Sequence, residues 1–162
     1  MKPSRVEELR FRPPEVEPVA AAMRQLAHAG SGWVNLQPAV PDDEVPPPPR
    51  GMAVLLGAPQ QPVPVCTWVP GRTGRRGRVP DQVGVQHGAG TRVLPDLAAS
   101  GVGLPPGWRW RQDNPRRGLV VELPDGTDPA EALRWLLEVG ERLATVPLTG
   151  DWRALVHPPR AR

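Results

Sequence analysis

The sequence predicts an α+β protein in which helices pack on one face of a mostly antiparallel sheet. Two stretches carry this prediction. Residues 107–123 contain two runs with the two-residue period of β-strands on either side of a turn, which is the pattern of a hairpin. Residues 128–146 keep helical spacing between a capping signal and a proline, which is the pattern of an amphipathic helix. Elements with one apolar face each are expected to bury those faces against each other.

The hairpin is predicted from side-chain alternation. In its first run Trp108 and Trp110 alternate with Arg109 and Arg111, so one face is aromatic and the other is charged. An Asn-Pro step and a glycine then interrupt the chain at residues 114–118. The second run places apolar residues on one side, and these are Leu119, Val121 and Leu123. The two runs therefore predict paired strands that bury one shared face.

The long helix has the clearest boundaries in the chain. Asp128 is predicted to cap it, with Pro129 at the first helical position and Glu131 completing a capping-box pattern. Residues at helical spacing form its apolar face, and these are Leu133, Leu136, Leu137, Gly140, Leu143 and Ala144. A glycine inside a helix costs up to about 1 kcal/mol relative to alanine. Gly140 therefore predicts close packing against a strand.

Residues 83–157 read in order as strand, helix, strand, strand, helix, strand. The shorter elements are a strand at 83–87, a helix at 92–100 and a final strand at 151–157. This order resembles that of a ferredoxin-like split βαβ unit, and the resemblance is one of element order alone. The right-handed crossover rule then predicts both helices on the same face of the sheet.

The N-terminal part is predicted to add a helix and a short strand. Residues 17–29 read as a helix, with Pro18 suited to its first position and Gly30 suited to the position after its end. Residues 33–40 read as a short strand, and Pro38 is expected to restrict that strand to an edge or to end it early.

Other segments are predicted to be linkers, or to extend the sheet. Residues 52–69 favour a second hairpin, in which Pro64 indicates a strand with at least one unpaired edge. The Pro-rich residues 41–50 are predicted to be an extended spacer, and their VPPPP motif could also dock on an aromatic groove of a partner. Residues 71–80 are predicted to be an exposed basic loop, and residues 1–14 a mobile lead-in.

The chain of 162 residues predicts a single domain at residues 15–157, followed by a tail at 158–162. Cys66 is the only cysteine, so an intrachain disulfide is impossible and a reducing compartment is expected. No run of 18 apolar residues and no signal-peptide pattern occurs. The expectation is a cytoplasmic protein with no membrane partner and no cofactor.

The basic composition has two explanations. The calculated pI is about 10.3, and clustered arginine is the usual footprint of phosphate binding. However, Arg outnumbers Lys by 19 to 1 and the formal net charge is only +3, a bias that a GC-rich coding sequence produces without selection for a basic surface. Residues 1–50 have 6 basic and 7 acidic residues, against 14 and 10 in residues 51–162. The excess positive charge therefore lies in the second part.

Arginine and tryptophan together give a candidate nucleic-acid site. The arginines could contact phosphates, and an exposed indole could stack on a base. The alternative is that the Trp side chains belong to the core, which is the commoner role of Trp on an amphipathic strand. The candidates are Arg72, Arg75, Arg76 and Arg78 in one loop, Arg109, Arg111, Arg116 and Arg117 around the hairpin, and Trp108 and Trp110 on its first strand.

A glycine-containing turn gives a candidate anion site. It lies between a predicted strand and a predicted helix start, where backbone amides can hold a phosphate. Short glycine turns are also ordinary connections in α/β proteins, and the turn matches neither a Walker motif nor a dinucleotide fingerprint. The candidates are His87, Gly88, Gly90, Thr91 and Arg92.

Cys66, His87 and Asp113 are the residue types of a nucleophile, a base and an orienting acid. A lone cysteine in an apolar strand is more often a small core residue. The three histidines have no spacing that would place two imidazoles on one helix face, so no metal site is predicted.

Without a clear nucleophile or metal pattern, the sequence favours a non-catalytic module that binds a protein partner or self-associates. Six tryptophans exceed what one small core needs, and Trp and Arg are enriched at interface hot spots. The first alternative is a protein that binds RNA or other single-stranded nucleic acid. The second is an enzyme that acts on a small molecule or a phosphate ester, for which the glycine turn would form the site.

Overall fold

The structure is a computed structural model that describes residues 5–44 and 61–160. We number the elements in chain order. The strands are β1 (Glu7–Phe11), β2 (Trp33–Pro38), β3 (Val65–Val69), β4 (Arg72–Gly74), β5 (Gly77–Val79), β6 (Gln82–Gln86), β7 (Arg109–Asn114), β8 (Gly118–Glu122) and β9 (Trp152–His157). The helices are α1 (Glu17–Ala29), α2 (Val93–Ala99) and α3 (Pro129–Leu143), with a 3-10 turn at Asp42–Glu44.

The strands form a seven-stranded antiparallel sheet in the order β1-β9-β2-β3-β6-β8-β7. Strands β4 and β5 pair separately as a small hairpin. The prediction of an α+β fold with a mostly antiparallel sheet is confirmed. None of the helices in the described parts of the chain combines the length and the apolar composition needed to cross a bilayer.

One face of the sheet carries the helices and the core. Along each inner strand alternate residues are buried, as Val34 and Leu36 are in β2 and Cys66 and Trp68 in β3. These side chains pack with buried residues of all three helices in one cluster. Burial of a large aliphatic or aromatic side chain contributes roughly 1.5–3 kcal/mol, so this layer dominates the stability of the fold.

Helix α3 begins and packs as its sequence predicts. The Asp128 carboxylate accepts a hydrogen bond of 3.0 Å from the Ala130 amide, and Pro129 opens the first turn. A methyl group added at Gly140 would lie 2.6 Å from the Trp152 ring and 3.2 Å from the Cys66 sulfur. The expected close approach of α3 to the sheet is therefore confirmed, and it explains why this helix contains a glycine.

The predicted element order of residues 83–157 is present as β6, α2, β7, β8, α3 and β9. Strand β8 lies between β6 and β7, as in a split βαβ unit. Strands β2 and β3 lie between β6 and β9, the first and last strands of this unit. These two strands therefore insert into the sheet, whereas β1 extends it beyond β9.

Two predictions about the N-terminal part are wrong. Residues 7–11 were expected to be mobile, yet they form β1, whose alternate residues Leu9 and Phe11 pack against the core. Strand β3 was expected to have an unpaired edge, yet it has partners on both sides, since it begins after Pro64. For β2 the second of the two expected outcomes is confirmed, because the strand ends at Pro38 and pairs with both β9 and β3.

The predicted basic loop at 71–80 contains the β4–β5 hairpin, whose six strand residues are all exposed. The first strand of the predicted 52–69 hairpin lies outside the described residues, and so does most of the Pro-rich spacer at 41–50. Helix α1 has the predicted bounds, with Gly30 in the left-handed conformation at φ 64°.

Candidate functional site

None of the helices in residues 5–44 and 61–160 packs on the second face of the sheet, which we call the helix-free face. It carries polar, charged and aliphatic side chains together with the rings of Trp33 and His157. Strand registers align them in rows, because residues directly opposite one another in paired strands share a face. The first row crosses six strands, and continuing the Val34–Trp68 register by one residue places Trp33 beside Val69. Its members are His157, Trp33, Val69, Gln82, Glu122 and Arg109. The second row contains Leu155, Asn35, Thr67, Gly84, Val120 and Gln112.

The most ordered part of this face is a cluster around Trp33. The Trp33 and His157 rings are stacked, with centroids 4.4 Å apart and planes 10° from parallel. The Thr67 hydroxyl donates to Asn35 Oδ1 at 2.9 Å, and this turns the Asn35 amide nitrogen toward His157 Nε2 at 3.3 Å. In this arrangement Nε2 accepts the hydrogen bond, so the neutral imidazole carries its proton on Nδ1. The chain of hydrogen bonds orients the His157 ring, and the indole of Trp33 stacks on that ring.

A cleft of about 540 Å³ adjoins Trp33 at one end of the sheet. Its walls include Val69 and Gln82 from the first row, and both Arg72 and Arg160 lie at its border. His157 covers one face of the indole without lining the cleft, so Trp33 presents another part of its ring to the cleft. The cleft thus combines an aromatic wall with two guanidinium groups.

The structure separates the predicted nucleic-acid residues. Trp108 is 7% exposed and packs edge-on against Trp135 at 5.3 Å, so it cannot stack on a ligand. Trp110 is 60% exposed, but it lies opposite Val121 on the side of the sheet that carries the helices. There it lines a cleft of about 430 Å³ with Leu94 and Pro95 of α2.

The predicted arginines lie at two ends of the sheet. The arginines of the β4–β5 hairpin lie at the end of the sheet where β3 ends and Gln82 begins β6. Arg109 lies at the same end, because it is in the same row as Gln82. Arg116 and Arg117 lie in the turn before Gly118, at the opposite end of β6. Arg111 donates to Glu122 at 2.7 Å, and this hydrogen bond lowers the pKa of the Glu122 carboxyl. The ten predicted residues therefore do not form one surface, and nucleic-acid binding by this set stays a prediction.

In the predicted anion site, the amides at the start of α2 already have an acceptor. The Val93 and Leu94 amides donate to the two oxygens of the Asp113 carboxylate, at 3.0 and 3.1 Å. The Asp113 carboxylate therefore occupies the position that a phosphate would take. The sequence could not indicate this contact, because β7 is distant from α2 along the chain. Gly90 and Arg92 have φ values of 105° and 52°, so the turn before α2 is tightly wound. Phosphate binding by His87, Gly88, Gly90, Thr91 and Arg92 stays a prediction.

Cys66 has the environment of a core residue. It is fully buried, its sulfur lies 3.6 Å from the Leu136 carbonyl oxygen, and burial raises the pKa of the thiol to about 12. A thiol with this pKa is almost entirely protonated near neutral pH, whereas nucleophilic catalysis requires the thiolate. Within residues 5–44 and 61–160, no group of three or more His, Cys, Asp or Glu side chains could hold a metal ion.

His87 is the one buried titratable side chain beside the glycine turn. It is 2% exposed, its Nδ1 accepts from the Ala89 amide at 3.2 Å, and its Nε2 has no hydrogen-bond partner among the described residues. Burial lowers the pKa of the imidazole, and the nearby Asp113 carboxylate opposes this effect. The folded protein therefore favours neutral His87.

We expect His87 to make the folded protein less stable at acidic pH. Because the pKa of His87 is lower in the folded state, the unfolded chain binds the extra proton first, and the stabilisation is complete only above the unfolded pKa of about 6.5. The free energy of unfolding should fall as the pH drops through that value. Urea titrations from pH 8 to pH 5 measure this slope, with His87→Gln as the comparison. An equal slope in both proteins would show that His87 does not contribute.

No protein-family model, curated protein or solved structure matches this chain. The candidate site therefore rests on its own geometry.

The cluster around Trp33 was not predicted from the sequence. One signal was available, since Trp33, Asn35 and Gln37 alternate with buried residues and so predict a polar and aromatic strand face. The pairing of β2 with β9, which brings His157 onto Trp33, joins residues more than a hundred positions apart and leaves no local pattern. Arg160 likewise reaches the cleft only through this pairing.

Proposed function

We propose that this chain is a non-catalytic, self-associating module that dimerises by antiparallel pairing of β1 with β1 of a second copy. The observation that carries this proposal is the free edge of β1. The strand pairs with β9 on one side, and no described strand lies on its other side. Unpaired backbone groups along such an edge are a template for another strand.

The β1 sequence, Glu-Glu-Leu-Arg-Phe, is complementary to itself. With a two-fold axis at Leu9, Glu8 of one copy lies opposite Arg10 of the other, and the reverse pair forms by symmetry. Cross-strand pairs of opposite charge favour a register by roughly 0.2–1 kcal/mol each. Within one chain Arg10 already forms an ion pair with Glu8 at 3.1 Å, so dimerisation would exchange this pair for two equivalent pairs between the copies.

Apolar side chains support the same edge as an interface. Leu9 and Phe11 are half-buried at the border of the core, and Val6 is 43% exposed just before the strand. A second copy of β1 would extend the sheet over this border and cover part of these side chains. The environment of Cys66 supports the non-catalytic part of the proposal, because its raised pKa disfavours a nucleophilic role.

A charge exchange at β1 tests this interface. We expect the wild-type protein to have about twice the monomer mass of 17.6 kDa in size-exclusion chromatography with light scattering. Glu8→Arg and Arg10→Glu should each be monomeric, because each places like charges opposite one another. Mixing the two variants, or combining both changes in one chain, should restore the dimer, because each combination restores opposite charges.

Two variants control for unrelated effects. Arg134→Glu changes an exposed charge on α3 and should leave the dimer intact. Trp110→Ala removes the most exposed aromatic side chain. Because Trp is enriched at interface hot spots, Trp110 is the alternative candidate for the dimer contact. A wild-type monomer at all concentrations, or a dimer lost only in Trp110→Ala, would contradict pairing through β1.

A further inference from the structure

The cleft beside Trp33 has the shape and lining of a site for a planar, negatively charged ligand. Its volume of about 540 Å³ lies within the range of small-molecule sites in proteins. Trp33 and Val69 give it apolar walls, and the Gln82 side chain adds a group that can both donate and accept hydrogen bonds. This lining suits a nucleobase, which needs contacts to its flat face and to its polar edge.

The stack of Trp33 on His157 prepares a surface for one more ring. His157 supports the indole from one side, and the hydrogen bonds through Asn35 and Thr67 fix the imidazole. A base entering the cleft would continue this stack from the other side. Side chains held in place before binding lose little conformational entropy when the ligand arrives, which favours affinity.

The charge at the border of the cleft suits a phosphate. Neither Arg72 nor Arg160 forms an ion pair with another residue in the described parts of the chain. Both side chains are exposed, so they are free to reach an anion at the opening of the cleft. By contrast, Arg78 of the same hairpin is paired with Asp125.

We propose that this cleft binds one nucleotide of a single-stranded nucleic acid, with the base stacked on Trp33 and a phosphate held by Arg72 and Arg160. The first row of the helix-free face continues from the cleft across β3, β6 and β8 to Arg109. The carboxylate in this row, Glu122, is neutralised by its ion pair with Arg111, so the row gives the following nucleotides a path. Neighbouring strands are about 4.8 Å apart, so this path has room for several nucleotides. A duplex is excluded because its bases stack on each other and cannot reach the indole.

Fluorescence anisotropy with a fluorescein-labelled eight-nucleotide RNA of mixed sequence tests this site at 50 mM salt. Trp33→Ala should weaken binding about tenfold, since stacking on an aromatic side chain dominates the contact to a base. Arg72→Ala combined with Arg160→Ala should also weaken binding. Because both arginines hold the same phosphate, their loss should reduce the slope of log K against log salt by about 0.7, the contribution of one phosphate on a single strand.

Matched variants separate this site from general attraction to a basic protein. Trp110→Ala removes an exposed indole on the other side of the sheet, and Arg75→Ala with Arg76→Ala removes the same charge from the tip of the same hairpin. Both should bind RNA like the wild type. Arg72 and Arg160 are exposed, so their double variant carries the test if Trp33→Ala does not fold.

Three results would overturn the proposal. They are no binding of the RNA at 50 mM salt, equal weakening by the control variants, and equal affinity for a duplex of the same length. A mononucleotide that binds as tightly as the octamer would show that the natural ligand is a free nucleotide instead of a strand. The inference does not depend on dimerisation, so Glu8→Arg should bind RNA normally whether or not it is monomeric.

Discussion

Replacement of Leu136 by alanine is expected to lower the free energy of unfolding by about 3 to 5 kcal/mol. Leu136 is fully buried on the face of α3 that covers the centre of the sheet, and it belongs to the hydrophobic core cluster. Truncation removes the transfer free energy of the lost carbons and leaves a cavity that close packing cannot refill. Urea unfolding followed by circular dichroism measures the change.

Exposed positions provide the controls for Leu136→Ala. Arg134→Ala lies on the same helix but on its solvent side, and Arg75→Ala and Arg76→Ala lie in the turn of the β4–β5 hairpin. Each should change stability by no more than about 0.5 kcal/mol. A similar small effect for Leu136→Ala would mean that α3 does not cover the sheet with this face.

Substitution of Gly140 by alanine should destabilise the protein, although alanine is the better helix former. The intrinsic preference favours alanine by up to about 1 kcal/mol, whereas overpacking a well-filled core typically costs about 1–3 kcal/mol. The added methyl group would lie 2.6 Å from the Trp152 ring, which is 2% exposed and has little room to move. We expect a net loss of about 1 kcal/mol, measured by urea unfolding.

A double-mutant cycle with Trp152→Phe identifies the cause. The smaller ring makes room for the methyl group, so Gly140→Ala should cost less in the Trp152→Phe background than in the wild type. Additive losses would place the strain elsewhere, for instance at the Cys66 sulfur, which would lie 3.2 Å from the same methyl group.

The elements predicted well are those whose signals are local. Asp128 and Pro129 mark the start of α3, and Gly30 marks the end of α1, because caps depend on residues within one turn. Strand β1 was missed because its five residues, Glu7–Phe11, alternate charge with only two apolar side chains, which also describes an unstructured lead-in. Its partner β9 decides the outcome, and that partner is not visible from the strand itself.

The candidate site was predicted least well, for the same physical reason. The alternation in residues 107–113 indicates one aromatic and one charged face, but the structure has an irregularity in register between Trp110 and Gln112. This shift places Asp113 on the helix side, where it caps α2. Trp33, His157 and Arg160 come together only through pairing of distant strands, which a local period cannot reveal.

The position of β9 between β1 and β2 constrains how the chain reaches its native state. During synthesis β1, α1 and β2 leave the ribosome long before residues 152–157 are made. Until then β1 and β2 lack β9, the strand that pairs with both of them. Contacts between such distant segments slow folding, because loop closure precedes any gain from the contact. In that interval the free edges of β1 and β2 are exposed to other nascent chains, so premature release of C-terminally truncated chains should promote aggregation.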